Sequence, residues 1–498
     1  MSLFSPKSER EKVNGSDPNA EYASESLKKN TAYIQEALNE TSDLVIKWLK
    51  DDAVLMYLET LVDQEKVERR VLDPLYDADQ DLHPLVLKAP QTPVLADAVH
   101  NLLQGHSVLL VEGDKQVYLF DTTGAFDRQI EEPDNEKVVR GAHSGFVENL
   151  LINVNLIRKR IEDQDLCVRY YKLGKKTKTN AAIVYMKGLA DPTVLELINK
   201  RMQSISSDFI MSPGFIEEFI EDSPFSPFPQ SLNTERPDRA TANIMEGRVA
   251  LVAEGSPAVL ILPVTFFTFY QSPDDYNSRW IPGTFIRLLR ITSFLIAIML
   301  PSFYIAIAGF HFEVIPTELV IPLKTSVEDI PYPPIIEALF MAVTIELIRE
   351  AGIRLPTSIG QTIGIVGGLV IGNAVVMAGL ISNIMIIIIA VTAISSFVVP
   401  SNEMSTSLRI LTFPLMFMAS ALGFVGIVFT LMFILIHLCK LESFGTPYFA
   451  PFAPFQWKDI KDTFVRVPLW LFNDRPRDAH PQRKKREWKS RRWKNDGR

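Results

Sequence analysis

Hydrophobic and polar positions divide this chain into two halves of different character. Up to about Tyr276 apolar residues come in short runs broken by polar ones, whereas from Ile286 to Leu438 apolar segments dominate. In the first half, Ile34, Leu38, Val45, Trp48 and Leu49 keep roughly helical spacing, which predicts a helical entry segment from Ser26 to about Arg70. Thr92–Gln104 reads as a second helix, and Ser107–Val111 and Gln116–Asp121 as strands around the turn Glu112-Gly113-Asp114-Lys115. Phe146–Ile161 has an amphipathic helical pattern, and Leu166–Leu173 and Ala181–Met186 read as strands joined by GKKTKTN. Asp191 and Pro192 form an N-cap and first-turn pair for a helix to about Met202. Phe215–Ile220 is a short helix, and the prolines of Ser223–Pro229 (SPFSPFP) forbid one there. Gly247–Phe269 is apolar enough to be mistaken for a membrane span. Glu254-Gly255-Ser256-Pro257 interrupts it, however, and its β-branched flanks predict a buried hairpin.

The second half reads as apolar segments separated by charged or proline-bearing joints. Leu288–Phe310 is a first span, with Arg279, Arg287 and Arg290 around its start; such cations put that end in the cytoplasm. The loop His311–Pro334 holds Glu313, Glu318, Glu328 and Asp329 against a lone Lys324, which suits the outer side. Ile335–Ile348 carries Glu337 and Glu346 and is short for a span, so it reads as a re-entrant or interfacial helix. Ser358–Leu380 and Asn383–Val399 are spans, and Arg409–Leu438 is one long span or one broken at Gly423 and Gly426. The closing segment RPRDAHPQRKKREWKSRRWKNDGR is strongly basic and belongs in the cytoplasm with the N-terminal part, which requires an even number of crossings.

The expected fold class is therefore an α+β cytoplasmic N-terminal region of two subdomains followed by an all-α multi-span membrane domain. Its parts are a disordered N-terminus 1–25, subdomains 26–138 and 139–285, a transmembrane domain 286–440 and a basic cytoplasmic tail 441–498. The transmembrane domain would hold four to six spans, with the short re-entrant or interfacial element near 335–350.

Ser358–Leu380 organises this second half. It has no charged residue and exceeds the roughly 20 residues that cross a hydrocarbon core as a helix. Gly360, Gly364, Gly368 and Gly372 recur at i+4 and form a bare stripe on which another helix can pack closely. Thr362, Val366, Val370, Asn373 and Met377 fall on the opposite side. A polar Asn halfway across lipid is costly unless it faces protein or water. The pattern fits a pore-lining or subunit-packing helix, and equally an ordinary bundle helix whose Asn bonds a neighbour. Near it lies a charged membrane-boundary cluster, Glu337, Glu346, Arg349, Glu350 and Arg354, in which Glu346 and Glu350 share a face and Glu350–Arg354 is an i,i+4 pair. These charges could ring a pore mouth or could be salt bridges that hold a membrane-boundary turn.

Composition changes the picture little. The net charge of −8 gives no support to nucleic-acid binding, and the two cysteines, Cys167 and Cys439, form no disulfide framework. The polar N-terminal sequence has no apolar h-region to export it. Gly174-Lys175-Lys176-Thr177 lacks the earlier glycine of a phosphate loop and is followed by a strand, so it reads as a solvated hairpin turn. His437 and Cys439, two apart on a helix, make a poor metal pair, and His143 beside Ser144 lacks a third partner for nucleophilic catalysis. The basic tail with Trp488 and Trp493 reads as a contact to anionic lipid. No enzyme motif, cofactor site or metal site emerges.

Seven motifs together resemble a known family. They are SPFPQ (Ser226–Gln230), TERPD (Thr234–Asp238), GRVALVAEGSP (Gly247–Pro257), QSPDDY (Gln271–Tyr276), ELIREAGIRLP (Glu346–Pro356), GQTIGIVGGLVIG (Gly360–Gly372) and SFGTPY (Ser443–Tyr448). From about Val138 to Pro468 the chain resembles the A subunits of GerA-type nutrient germinant receptors of bacterial endospores. Two places depart from the family pattern: GAHSGF at Gly141–Phe146 replaces a GPxxxF-type version, and Glu254 stands where Asp is general. The resemblance implies an oligomeric protein of the inner spore membrane, a pentamer of itself, with both termini cytoplasmic. It implies as partners a transporter-like B subunit that senses the nutrient and a C-subunit lipoprotein. It further implies a ligand-gated cation channel whose opening starts germination. In such a ring Val366 and Val370 would form a hydrophobic constriction, with Thr362 and Asn373 as polar rings. The alternative is a non-conducting membrane scaffold, or an accessory sporulation paralogue that organises germination complexes. A solute carrier is weaker, because no internal repeat or matched pair of interrupted helices is visible.

Overall fold

The computed structural model describes residues 21–49, 52–74, 89–124, 132–133, 135–328, 330–355, 368, 370–457 and 459–486. The chain divides into two compact units. One comprises 1–130, 149–170 and 182–187; the other comprises 131–148, 171–181 and 188–498.

The first unit opens with helix α1 (Leu27–Ala37), but the helical entry segment expected to run to Arg70 ends there. Val45, Trp48 and Leu49 lie instead on strand β1 (Leu44–Leu49), which pairs antiparallel with β2 (Ala53–Leu58), Leu44 opposite Leu58. Helical spacing of a few apolar residues yielded to the sheet because both flanks of β2 find cover. Val54, Met56 and Leu58 pack with Ile34, Leu38 and Leu95 on one side, while Ala53 and Leu55 join Val67, Val71 and Tyr118 on the other. The short helix α2 (Gln64–Val67), strand β3 (Gln91–Thr92), helix α3 (Leu95–Leu103), and strands β4 (His106–Val111) and β5 (Val117–Asp121) complete an antiparallel sheet of order β1-β2-β4-β5-β3.

Helix α4 (Leu150–Arg158) is shorter than the Phe146–Ile161 pattern implies. Its start is set by Asn149, whose side chain accepts the Ile152 N–H at 3.1 Å. It is buried nearly all round rather than on one face, and the burial includes a charge. Arg158 forms a two-pronged pair with Asp43, Nε to Oδ2 at 2.6 Å and Nη2 to Oδ1 at 2.8 Å. Thr41 and Thr60 donate to the same carboxylate at 2.6 and 2.8 Å. Burial alone would raise the Asp43 carboxyl, but Arg158 and these hydroxyls outweigh it and hold it below its ordinary value.

A second five-stranded sheet, order β6-β7-β9-β10-β8, comprises β6 (Leu166–Leu173), β7 (Thr179–Met186), β8 (Leu232–Thr234), β9 (Val249–Ala253) and β10 (Val259–Leu262). The interrupted apolar run Gly247–Phe269 is indeed the β9–β10 hairpin, Val252 opposite Val259. In the second unit Asp191 caps helix α5 (Pro192–Ser204) through the Thr193 N–H at 2.8 Å, and helix α6 (Pro213–Ile220) and helix α7 (Pro237–Met245) follow.

Beyond the short helix α8 (Pro273–Asn277) comes helix α9 (Trp280–Phe310), which starts earlier than the expected span. The loop expected at 311–334 contains helix α10 (Thr317–Glu328). The element expected to be short is the 21-residue helix α11 (Pro334–Arg354), because its Glu346–Arg349 and Glu350–Arg354 charges pair along the helix instead of ending it. Helix α12 (Asn383–Phe397) follows. The long final segment is broken at Gly423, whose φ of +61° ends helix α13 (Asn402–Leu422) and begins helix α14 (Phe424–Lys440). Among the described residues α9 and α13 are long and apolar enough to cross a membrane, and α12 and α14 are shorter apolar helices. In the C-terminal region strands β11 (Glu442–Ser443) and β12 (Thr446–Pro447) pair, and Arg475 and Gln482 donate to the Met245 and Leu189 carbonyls.

Candidate functional site

Two groups of residues in the second unit tie its α+β part to the apolar helices and a third joins those helices to one another; the first lies at the base of α9. Ser272 caps α8, which leaves Asp275 pointing at α9. Asp275 is 1% exposed and accepts from Arg290 Nη1 at 2.8 Å to each oxygen and from Arg287 Nε at 3.4 Å. Arg287, with no exposed surface, also reaches Asp462 Oδ1 at 2.7 Å, and Tyr276 donates to the other Asp462 oxygen at 2.6 Å. The Arg287 guanidinium lies 5.5 Å over the Tyr276 ring, and Arg466 donates to the Tyr276 carbonyl at 2.9 Å. Burial lifts the Asp462 carboxyl above its ordinary value even with these donors beside it. Gly283 makes the approach of α9 possible, since a Cβ there would stand 2.9 Å from the Asp275 carbonyl oxygen. Arg287 and Arg290, read from sequence as cytoplasmic-side cations, are thus buried structural partners. The signal in the sequence was the acidic QSPDDY motif just ahead of them.

The second group joins SPFPQ to SFGTPY. Ser226 Oγ lies 2.8 Å from His437 Nε2 in the last turn of α14, and the Phe228 ring stacks on that imidazole at 6.0 Å. Ser407 on α13 donates to the Pro227 carbonyl, Tyr448 to that of Pro229 at 2.6 Å and Ser443 to that of Gln230 at 2.8 Å. TERPD is held by Glu136, which accepts from Thr234 and Arg239 at 2.5 Å each. The motifs are therefore contacts between elements far apart in sequence. His437 is occupied by Ser226, and Cys439 is exposed.

The third group is part of the predicted charged cluster. Glu346 accepts from Arg349 at 3.1 Å and from Arg409 of α13 at 3.0 Å. Arg349 also donates to Ser396 of α12 at 3.2 Å and lies 4.3 Å over the Phe397 ring. One carboxylate and two guanidiniums thus join α11, α12 and α13 beside a cavity of about 50 Å³. Arg409, Ser396 and Phe397 were missed, since nothing local in the sequence links them to Glu346. The structure does not bring the other predicted members here. Glu350 and Arg354 pair with each other on an exposed face at 2.7 Å. Glu337, 1% exposed, accepts the Ser382 N–H at 2.7 Å and so holds the start of α12.

Of the glycine-striped segment, Gly360, Thr362, Gly364 and Val366 lie outside the described residues. Residues 370–377 are helical, with Val370, Asn373 and Met377 exposed and Val375 buried. A Cβ added at Gly368 or Gly372 would meet nothing within 4 Å, so this part of the stripe packs on no described residue of the chain. Among the described residues no cluster of His, Cys, Asp and Glu could hold a metal ion. His143 bonds Glu132 at 2.9 Å on the surface.

Residues 32–478 match the family described as Bacillus/Clostridium GerA spore germination protein. An uncharacterized membrane protein, YfkQ, of Bacillus subtilis is 40% identical over 433 residues, 85% of this chain and 84% of that protein. Spore germination protein KA of the same organism is 37% identical over 486 residues, 94% of this chain and 89% of its own length. The crystal structure of the N-terminal domain of the A subunit of the Bacillus megaterium spore germinant receptor GerK3 is 28% identical, with a TM-score of 0.38; the match spans 50% of this chain and 98% of that domain. With the family match running through the α+β part, the apolar helices and the contacts between them, this chain belongs to the GerA spore germination protein family.

Proposed function

We propose that this chain is the A-type subunit of a spore germinant receptor and that copies of it form a nutrient-gated ion channel in the inner spore membrane. The protein is not an enzyme in this reading. It works with a transporter-like B subunit and a lipoprotein C subunit, and it crosses the membrane several times with both termini in the cytoplasm. Family membership supports the germination role, and relatives named as spore germination proteins KA and A1 support the A-type assignment.

The observation that carries the channel reading is the helical stretch 370–377. The neighbouring glycine edge, Gly368 and Gly372, meets no described residue, and Val370, Asn373 and Met377 are exposed, so among the described residues neither side has a partner. A ring of copies, a pentamer in this reading, would cover the glycine edge and turn Asn373 toward a shared water path. Val366 and Val370 would narrow that path and gate it by dewetting, with Thr362 and Asn373 as polar rings.

The test is cation efflux from liposomes that contain the full chain with its partner subunits. Nutrient-dependent efflux is expected, and Val366→Ala and Val370→Ala should each raise the basal leak. Efflux unchanged in both variants would count against the gate. A receptor that responds to nutrient in spores yet passes no ions would favour a non-conducting scaffold.

A further inference from the structure

We infer that the segment 209–225, with α6 at its centre, is an aromatic anchor that inserts into the lipid surface beside α13 and α14. The inference rests on the membrane reading above and adds a contact to it. Apart from Val139, every exposed large hydrophobic side chain described in the second unit ahead of α9 falls in this one segment: Phe209, Met211, Phe215, Phe219 and Phe225. Phe225 is fully exposed, and Phe209 meets Phe215 edge-on at 5.7 Å. The inner face of α6 is already satisfied, because Pro213, Ile216 and Ile220 are buried. The aromatic face is therefore surplus to the packing among the described residues. Concentrated exposed apolar surface of this kind marks an interaction site.

The position of the segment says what covers it. Asp222 accepts the N–H of Phe444, just past the end of α14, at 2.6 Å and is paired with Arg201. Ser226 is bonded to His437 in the last turn of α14, and Pro227 accepts from Ser407 near the start of α13. Segment 222–227 is thus clipped to the ends of both helices where the chain enters one and leaves the other. On α14 the side chains next to that end, Phe433 and Ile436, are exposed and face lipid in the membrane reading. Aromatic side chains at this level sit at the junction of acyl chains and headgroups. Glu218 on α6 and Glu221 just past its end would repel anionic headgroups, so the contact is apolar insertion rather than charge attraction.

The experiment is site-directed spin labelling of the full chain in vesicles of phosphatidylethanolamine and phosphatidylglycerol, in a Cys167→Ala, Cys439→Ser background. Labels go at Phe219→Cys and Phe225→Cys, with Met211→Cys as a further position of the segment. Phe433→Cys serves as the lipid control and Lys176→Cys as the aqueous control. The ratio of collisions with oxygen to collisions with a water-soluble nickel chelate is expected to rise at 219 and 225 well above that at 176, and to be unchanged by added salt. Nickel-dominated collisions at 219 and 225 would overturn the anchor. So would low access to both reagents with dipolar broadening between labels, which would assign the face to a second copy. If position 433 itself collides mainly with nickel, the membrane reading fails; if only 219 and 225 do, the anchor alone fails.

Discussion

Arg290 places one guanidinium nitrogen 2.8 Å from each oxygen of Asp275, so a side chain early in the first long apolar helix is clamped to the short helix α8 that delivers the chain to it. The clamp is buried and shared with Arg287, which passes it on to Asp462 in the C-terminal region. Chain segments 175 positions apart thereby meet at one point. Rigid coupling between the α+β part of this unit and its apolar helices runs through that point.

Asp275→Ala leaves two buried guanidiniums short of a partner, and removing one member of a buried pair costs about 3–5 kcal/mol. A clear fall in the melting temperature of the detergent-solubilised chain is expected. Arg279→Ala, outside this set of bonds, is the comparison and should melt close to the parent.

Glu346 and Glu350 look equivalent in sequence but not in the fold. Glu346→Gln weakens charge-assisted bonds to Arg349 and Arg409 on two helices, each worth about 1.5–3 kcal/mol. Glu350→Gln breaks only an exposed pair, worth about 0–1 kcal/mol. Denaturant midpoints should therefore drop distinctly for Glu346→Gln and barely for Glu350→Gln. Equal drops would refute the distinction.

Asp43 tests the first unit. Its folded carboxyl lies below the ordinary value of 3.8, so the stabilisation is complete above that pH and is lost as pH falls through the lower folded value. Asp43→Asn should lose about 3–5 kcal/mol at neutral pH by stranding Arg158. It should also flatten the acid side of the stability profile, measured by chemical denaturation across pH.

Glu246 behaves in the opposite sense. Burial, with Asp462 and Asp478 adding repulsion against the attraction of Arg248 and Arg486, pushes its carboxyl from 4.5 to about 7. The folded state then holds a proton that the unfolded chain releases, so stability falls as pH rises from 4.5 to about 7 and levels off above that. Glu246→Gln should remove this slope and be the more stable form at alkaline pH, as read from melting temperatures. A slope that survives the substitution would assign it to another group.

Much of the fold was legible where local chemistry and tertiary environment agree. Leu166–Leu173, the β9–β10 hairpin and the Asp191 cap fall where alternation, an interrupting Gly-Ser-Pro and an N-cap residue put them. Residues 44–58 did not, because their spacing fits a helix while their cover on two flanks comes from α1, α3 and β4, which only a folded sheet supplies. Arg287 and Arg290 were legible as cations but not as buried ones, since Asp462, the anion that completes the site, lies in a distant part of the chain.

From sequence alone follow the division into a polar α+β part and an apolar helical part, and the membership carried by seven motifs. These follow because hydropathy, turn chemistry and motif identity are properties of neighbouring residues. Which charge meets which was decided only by the tertiary structure: Glu346 with Arg409 but Glu350 with Arg354, Asp275 with Arg290, Ser226 with His437. A buried ion pair depends on distance in space and on the water excluded around it, and neither quantity is written in the order of residues.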